Sequence, residues 1–89
     1  MQPIICRVVS QTEPTTVTTK NGEQLAKNYV RLKGISGDYD DEFVCALLGN
    51  LARVKFTEGE KVVVSLRFRV YENNGNTYQD VSATNMFKL

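Results

Sequence analysis

Residues 61–89 read KVVVSLRFRVYENNGNTYQDVSATNMFKL, and this stretch decides the fold. Apolar and polar side chains alternate on both sides of Asn73-Asn74-Gly75-Asn76, the period of two that belongs to strands. Asn-Gly between two such runs is a strong hairpin signal, because a two-residue turn of this kind needs φ > 0 at both central positions. With Asn74-Gly75 as the turn, Phe68 faces Val81, Leu66 faces Ala83 and Val62 faces Phe87, on a face shared with Val64 and Val70. The opposite face sets Tyr71 against Tyr78, Arg69 against Asp80 and Arg67 against Ser82. Apolar meets apolar and plus meets minus, and a slip of one residue would put Phe68 opposite a polar partner.

The same period extends upstream. Residues 4–13 read as a first strand, and the β-branched run Thr15–Thr19 extends it past a bulge at Pro14, which cannot donate to a ladder. Asn21-Gly22 marks another hairpin, with Val17 expected to face Ala26. Residues 24–35 form the second strand. Ala26, Asn28, Val30 and Leu32 point inward on it; Lys27, Tyr29, Arg31 and Lys33 point outward. A polar loop at 36–41 leads to a third strand at 42–48. Residues 50–56 offer a helix of two turns at most, with Asn50 as N-cap. Thr57-Glu58-Gly59-Glu60 turns into a fourth strand at 61–71, and residues 77–87 are the fifth. Five strands with one short helix between strands 3 and 4 predict an all-β fold closed as a small barrel, since closure removes exposed edges. The element order is that of a five-stranded OB-fold barrel, expected to occupy residues 1–89 as a single domain.

Composition excludes several classes. Eighty-nine residues, 42% apolar and 24% charged, fit a folded domain. The net charge of +1 excludes a polycationic tail, so any nucleic-acid binding must come from local arrangement. The chain has no His and no Trp. Cys6 and Cys45 are two thiols where a zinc site needs about four ligands; a single disulfide between them is the alternative to the preferred reading, two small buried hydrophobes in a reducing cytoplasm. Asp38, Asp40, Asp41 and Glu42 lack the spacing of a calcium loop, so neither metal nor cofactor is expected. The start MQPIICR lacks a signal peptide's pattern, and no apolar run reaches 18 residues, so no membrane association is expected. No G-x-S-x-G, Gly-rich phosphate loop or Cys–base pair occurs, so neither enzyme activity nor a small-molecule substrate is expected. Phe43, Phe56, Phe68 and Phe87 read as core residues.

From residue 41 onward the chain resembles the bacterial single-stranded-DNA-binding proteins. The resemblance is carried by Phe43-Val44-Cys45-Ala46-Leu47-Leu48, by Glu58-Gly59-Glu60-Lys61-Val62-Val63-Val64, by Tyr71-Glu72-Asn73-Asn74-Gly75 with Tyr78, Val81 and Ala83, and by Asn85-Met86-Phe87-Lys88-Leu89. Upstream, the hairpin at Asn21-Gly22 and the strand Leu25–Leu32 match in position. The chain is also similar to short bacterial OB domains of the primosomal PriB type. It departs from the family in its short spacer and its lack of Trp, and the tail-dependent partner recruitment of that family is not expected of it. The resemblance implies an accessory of DNA replication or repair, assembled as a homodimer or homotetramer.

Two surface groups suit that function. Lys27, Tyr29, Arg31 and Lys33 alternate cations with an aromatic ring, the combination that tracks phosphates and stacks a base. Arg67, Arg69, Tyr71 and Tyr78 share one face of the last hairpin, where a subunit contact is the competing reading. Lys20, at a hairpin tip, could reach phosphate. The expected partner is single-stranded DNA or, on the same chemistry, RNA, bound with little sequence preference. The alternative is an OB-like protein-interaction or assembly domain without nucleic-acid binding, which the near-neutral charge favours.

Overall fold

A computed structural model describes residues 3–35 and 41–89. The elements are β1 (Ile4–Gln11), β2 (Thr15–Thr18), β3 (Gln24–Gly34), β4 (Glu42–Leu48), α1 (Asn50–Arg53), β5 (Lys61–Asn73) and β6 (Asn76–Lys88). They pair in the order β1-β5-β6-β4-β3-β2, and β1 also pairs with β3. The ring β1-β5-β6-β4-β3 is therefore closed: a five-stranded barrel with one short helix before β5, as the sequence predicts. β4 and β6 form the parallel contact; the other pairs are antiparallel. Segment β2 lies outside the ring, paired with β3 alone.

Alternation fills the barrel. Cys6 and Val8, Val30 and Leu32, Cys45 and Leu47, Val62, Val64 and Leu66, and Met86 all point inside, joined by Ala52 of α1 and by Phe56. Burying each large aliphatic side chain stabilises the fold by about 1.5–3 kcal/mol. Both cysteines are buried free thiols. Burial pushes the Cys6 thiol up, and pushes Cys45 up to about 11 with a smaller contribution from Cys6. Neither is a nucleophile at neutral pH.

The last hairpin turns through Asn74 (φ 54°) and Gly75 (φ 81°), the two positive φ angles that its turn requires. Its expected register holds from Tyr71–Tyr78 to Leu66–Ala83. Below that point it shifts by one, so Val62 faces Lys88 and Val63 faces Phe87, correcting the expected Val62–Phe87 pair. Thr84 is the extra residue, and its hydroxyl donates to the Ser65 carbonyl at 3.2 Å. Such a bulge adds the local twist that a strand needs to curl into a closed ring. The shift turns Phe87 outward, where it is half-exposed, and Phe68 and Val70 are 50% and 66% exposed. These three are not core residues. Among the described residues β1 pairs with β5 only over residues 61–64 and β4 with β6 only at Ser82, so the outer part of the hairpin runs on as an arm on which Phe68 and Val70 stand exposed.

The first hairpin differs from expectation by one residue. Its loop is three residues long: the Gly22 N–H donates to the Thr19 carbonyl at 3.0 Å, and the Thr19 N–H to the Glu23 carbonyl at 2.8 Å. Only Gly22 takes positive φ, 81°; Asn21 does not. A turn followed by one left-handed glycine adds a residue to the loop. Val17 accordingly faces Leu25, and Thr16 faces Ala26. The inward and outward sets on β3 are unchanged, because they depend on that strand's own alternation. β1 stops at Gln11 rather than residue 13, and its bulge lies between Val8 and Ser10. A further one-residue shift crosses Pro14, between the pairs Gln11–Val30 and Thr15–Lys27.

The helix is one turn, capped by Gly49 (φ 65°) rather than Asn50. Gln11 explains its early end. Its Nε2 donates to the Val54 carbonyl at 2.9 Å, while its Oε1 accepts the Phe56 N–H at 2.8 Å, which holds the chain extended. The buried Asn28 donates from Nδ2 to the carbonyls of Thr12 (3.2 Å) and Ala52 (3.0 Å), tying α1 to the end of the first strand. Among the acidic residues weighed for calcium, Asp38 and Asp40 lie outside the described residues.

Candidate nucleic-acid interface

Strand register joins the two surface groups. Tyr29 on β3 faces Ala46 on β4, Ala46 faces Ser82 on β6, and Ser82 faces Arg67 on β5. One row thus crosses four strands, from an aromatic ring at one end to a guanidinium at the other. At about 4.8 Å per strand the two ends are roughly 14 Å apart. Between them lies an open cleft. Lys27 and Tyr29 line one side, Arg67 and Arg69 the other, and Val44, Ala46 and Leu48 form the floor. Gln79, Asp80 and Ser82 supply its polar edge.

Tyr29 is well anchored for an exposed residue. Its N–H donates to Thr12 Oγ1 at 3.0 Å, and its carbonyl accepts the Thr12 N–H at 2.9 Å. Tyr29 is 46% exposed, and Lys27 Nζ sits 5.4 Å from its ring centroid. Cation, ring and aliphatic floor therefore share one wall. The floor is open as well: Val44 and Leu48 are 54% and 45% exposed.

The remaining candidates lie elsewhere. Arg31 points outward on the same strand, but its Nε is 2.7 Å from Glu42 Oε1, so its charge is already engaged. Lys33 continues the stripe beyond the cleft, opposite Glu42 on one side and Arg7 on the other. Tyr71 and Tyr78 stack on each other farther out along the arm, centroids 5.4 Å apart and planes 22° apart. Lys20 is exposed in the first hairpin loop, away from the cleft lining. Arg69 and Asp80 are cross-strand neighbours, yet among the described residues no ion pair of 4.0 Å or less joins them. Among those residues, no three His, Cys, Asp or Glu side chains come together as metal ligands, and no helix is long and apolar enough to cross a membrane.

The floor was missed from the sequence, although a signal for it exists. Residues 43–48, FVCALL, are apolar at both parities. Phe43, Cys45 and Leu47 serve the core, which leaves Val44, Ala46 and Leu48 on the outside. A strand apolar on both faces is one that expects cover on both.

No family model matches the chain, and no curated protein matches it. Solved structures do. The second OB-fold domain of replication protein A from Methanococcus maripaludis superposes with a TM-score of 0.72 at 20% identity, over 98% of this chain and 81% of that one. The small single-stranded DNA-binding protein from Streptomyces coelicolor is similar with a TM-score of 0.51 at 17% identity, over 98% of this chain and 91% of that one. At such identities the likeness concerns architecture, and it agrees with the strand ring: the chain folds as an OB barrel.

Proposed function

We propose that the chain binds single-stranded DNA with little sequence preference, in the cleft between β3 and the β5–β6 arm. The observation that carries this reading is the four-strand row Tyr29–Ala46–Ser82–Arg67, which brings an aromatic ring and arginines to two sides of one apolar floor. Cations hold phosphates without reading bases, and a ring accepts any base by its π-face, so the site is sequence-tolerant. Lys27, Arg67 and Arg69 hold backbone in this reading, and Tyr29 stacks a base. Arg31, Lys33, Lys20, Tyr71 and Tyr78 are secondary, since they lie outside the cleft or are already paired. The two similar structures are an OB-fold domain of a replication protein and a single-stranded DNA-binding protein, which supports the same choice of ligand. Assembly as a homodimer or homotetramer belongs to the proposal, because one barrel with three cleft cations binds weakly and joined barrels act on one strand together.

A second reading, an assembly domain that binds protein, is favoured by the half-exposed Phe68 and the exposed Val70 on the other face of the arm. Titration of labelled oligo-dT at two salt concentrations, beside a solution mass measurement, separates the two. Three phosphate contacts at about 0.7 each give a log K versus log salt slope near −2. Absence of binding at low salt would leave the assembly reading in place.

A further inference from the structure

The outer face of β1 carries a cation row that the cleft does not use. Arg7 faces Lys33 across β3 and Lys61 across β5. Three positive side chains therefore stand side by side over three adjacent strands, on one face. Like charges directly opposite each other destabilise a sheet. Arg7 spends one donor on the Gly59 carbonyl, at 2.8 Å, and among the described residues none of the three lies within 4.0 Å of a carboxylate. Glu42, opposite Lys33, is engaged with Arg31. Ile5, beside Arg7 on the same face, is exposed and apolar. A second copy of the chain docked here about a two-fold axis would set one such row against another and add to the repulsion. An anion relieves it.

We infer that Lys33, Arg7 and Lys61 form a second phosphate track, which carries the single strand from the outer face of β3 round onto β1 and β5. Continuity supports this occupant. The stripe Lys27-Tyr29-Arg31-Lys33 starts in the cleft and ends at the row, so Lys33 belongs to both. The inference rests on the proposed function, and it adds Arg7 and Lys61 as binding residues. The barrel then contacts a longer stretch of strand than the cleft alone can cover.

Oligonucleotide length tests it. Wild type and the double variant Arg7→Gln/Lys61→Gln are titrated with oligo-dT of about 6 and about 15 nucleotides, within the range of OB-fold site sizes. The expected result is equal affinity for the short oligomer. For the long one the variant loses about ten-fold or more at 50 mM salt, and its salt slope is shallower by about 1.4, from two contacts at about 0.7 each. A variant that matches wild type on the long oligomer overturns the track while leaving the cleft reading intact. Equal loss on both lengths also overturns it, since a general change in field would then be the cause. Wild type that binds neither oligomer removes the cleft reading and the track together. Should the double variant lose its native circular dichroism, Lys61→Gln alone, which keeps the Arg7–Gly59 hydrogen bond, is expected to show half the slope change.

Discussion

Replacing Tyr29 with alanine tests the cleft most directly, because the structure separates its binding role from its folding role. Tyr29 is 46% exposed and its anchoring is through backbone groups, both bonded to Thr12, which an alanine keeps. Stability should therefore change by no more than about 0.5 kcal/mol, as for ordinary surface substitutions. Binding should change more. A base stacked on an aromatic ring contributes about 1–3 kcal/mol by alanine substitution. Lys27 already rests against the ring at 5.4 Å, a contact worth about 0.5–1 kcal/mol at an exposed site, so a base that displaces it gains less. The net loss for Tyr29→Ala is then about 0.5–2 kcal/mol, or about two- to thirty-fold in Kd. Fluorescence anisotropy with labelled oligo-dT at low salt reads it, and urea denaturation confirms that the fold is intact. Tyr29→Phe keeps the ring and should stay within about two-fold of wild type, as among the described residues nothing hydrogen-bonds to the hydroxyl. A folded Tyr29→Ala protein that binds like wild type would refute the assignment of Tyr29 as the stacking platform.

Three further outcomes follow from the same geometry. Glu42→Gln releases Arg31 from its 2.7 Å ion pair, so oligo-dT affinity should rise by about two- to five-fold and the salt slope steepen by about 0.7; an unchanged slope would mean that Arg31 stays off the backbone. Leu47→Ala, at a fully buried position in the barrel core, should lower the unfolding free energy by about 2–5 kcal/mol in urea titrations. Cys45 makes stability pH-dependent on the alkaline side: its thiol ionises near 9 when unfolded and near 11 when folded, so its contribution is intact below pH 9 and is lost as pH rises toward 11. By pH 10 that loss is about 1.4 kcal/mol, measurable as a lower urea midpoint with thiol reagents staying slow until the protein unfolds.

The two hairpins show what sequence can and cannot specify. In residues 61–88 each face has its own chemistry and the turn is two residues long, so pattern and turn agree on one register down to the Thr84 bulge. In residues 15–27 the run Thr-Thr-Val-Thr carries almost no alternation: only Val17 distinguishes one register from the next, and it meets an apolar partner in either, Ala26 or Leu25. The register there is set by the loop, where Thr19 bonds to Glu23 and only Gly22 turns left-handed. Asn-Gly signals a turn in both places, but the dipeptide alone does not give the loop length. Phe68 and Phe87 illustrate a different gap. Alternation identified a face for each, but whether another element covers that face is a tertiary matter, and a bulge at Thr84 is enough to turn Phe87 outward.

The candidate site was legible in halves. The stripe on β3 and the group on β5–β6 each follow from one strand's alternation. What joins them is the single parallel contact between Ala46 and Ser82. No turn links those strands directly, so no turn chemistry fixes their register. It is fixed by closure: once β1 holds β3 on one side and β5 on the other, β4 and β6 meet at the far side of the ring. Small residues at that contact, Ala46 and Ser82, keep the floor low between Tyr29 and Arg67. A bulky side chain at Ala46 would raise the floor between them and separate the two halves of the site without touching either. Ala46→Ile, bulky but without a ring on which a base could stack, is accordingly a sharper probe of the cleft than removal of any one cation, provided its half-buried position keeps the barrel folded. A folded Ala46→Ile protein with unchanged oligo-dT affinity would show that the strand does not lie across this row.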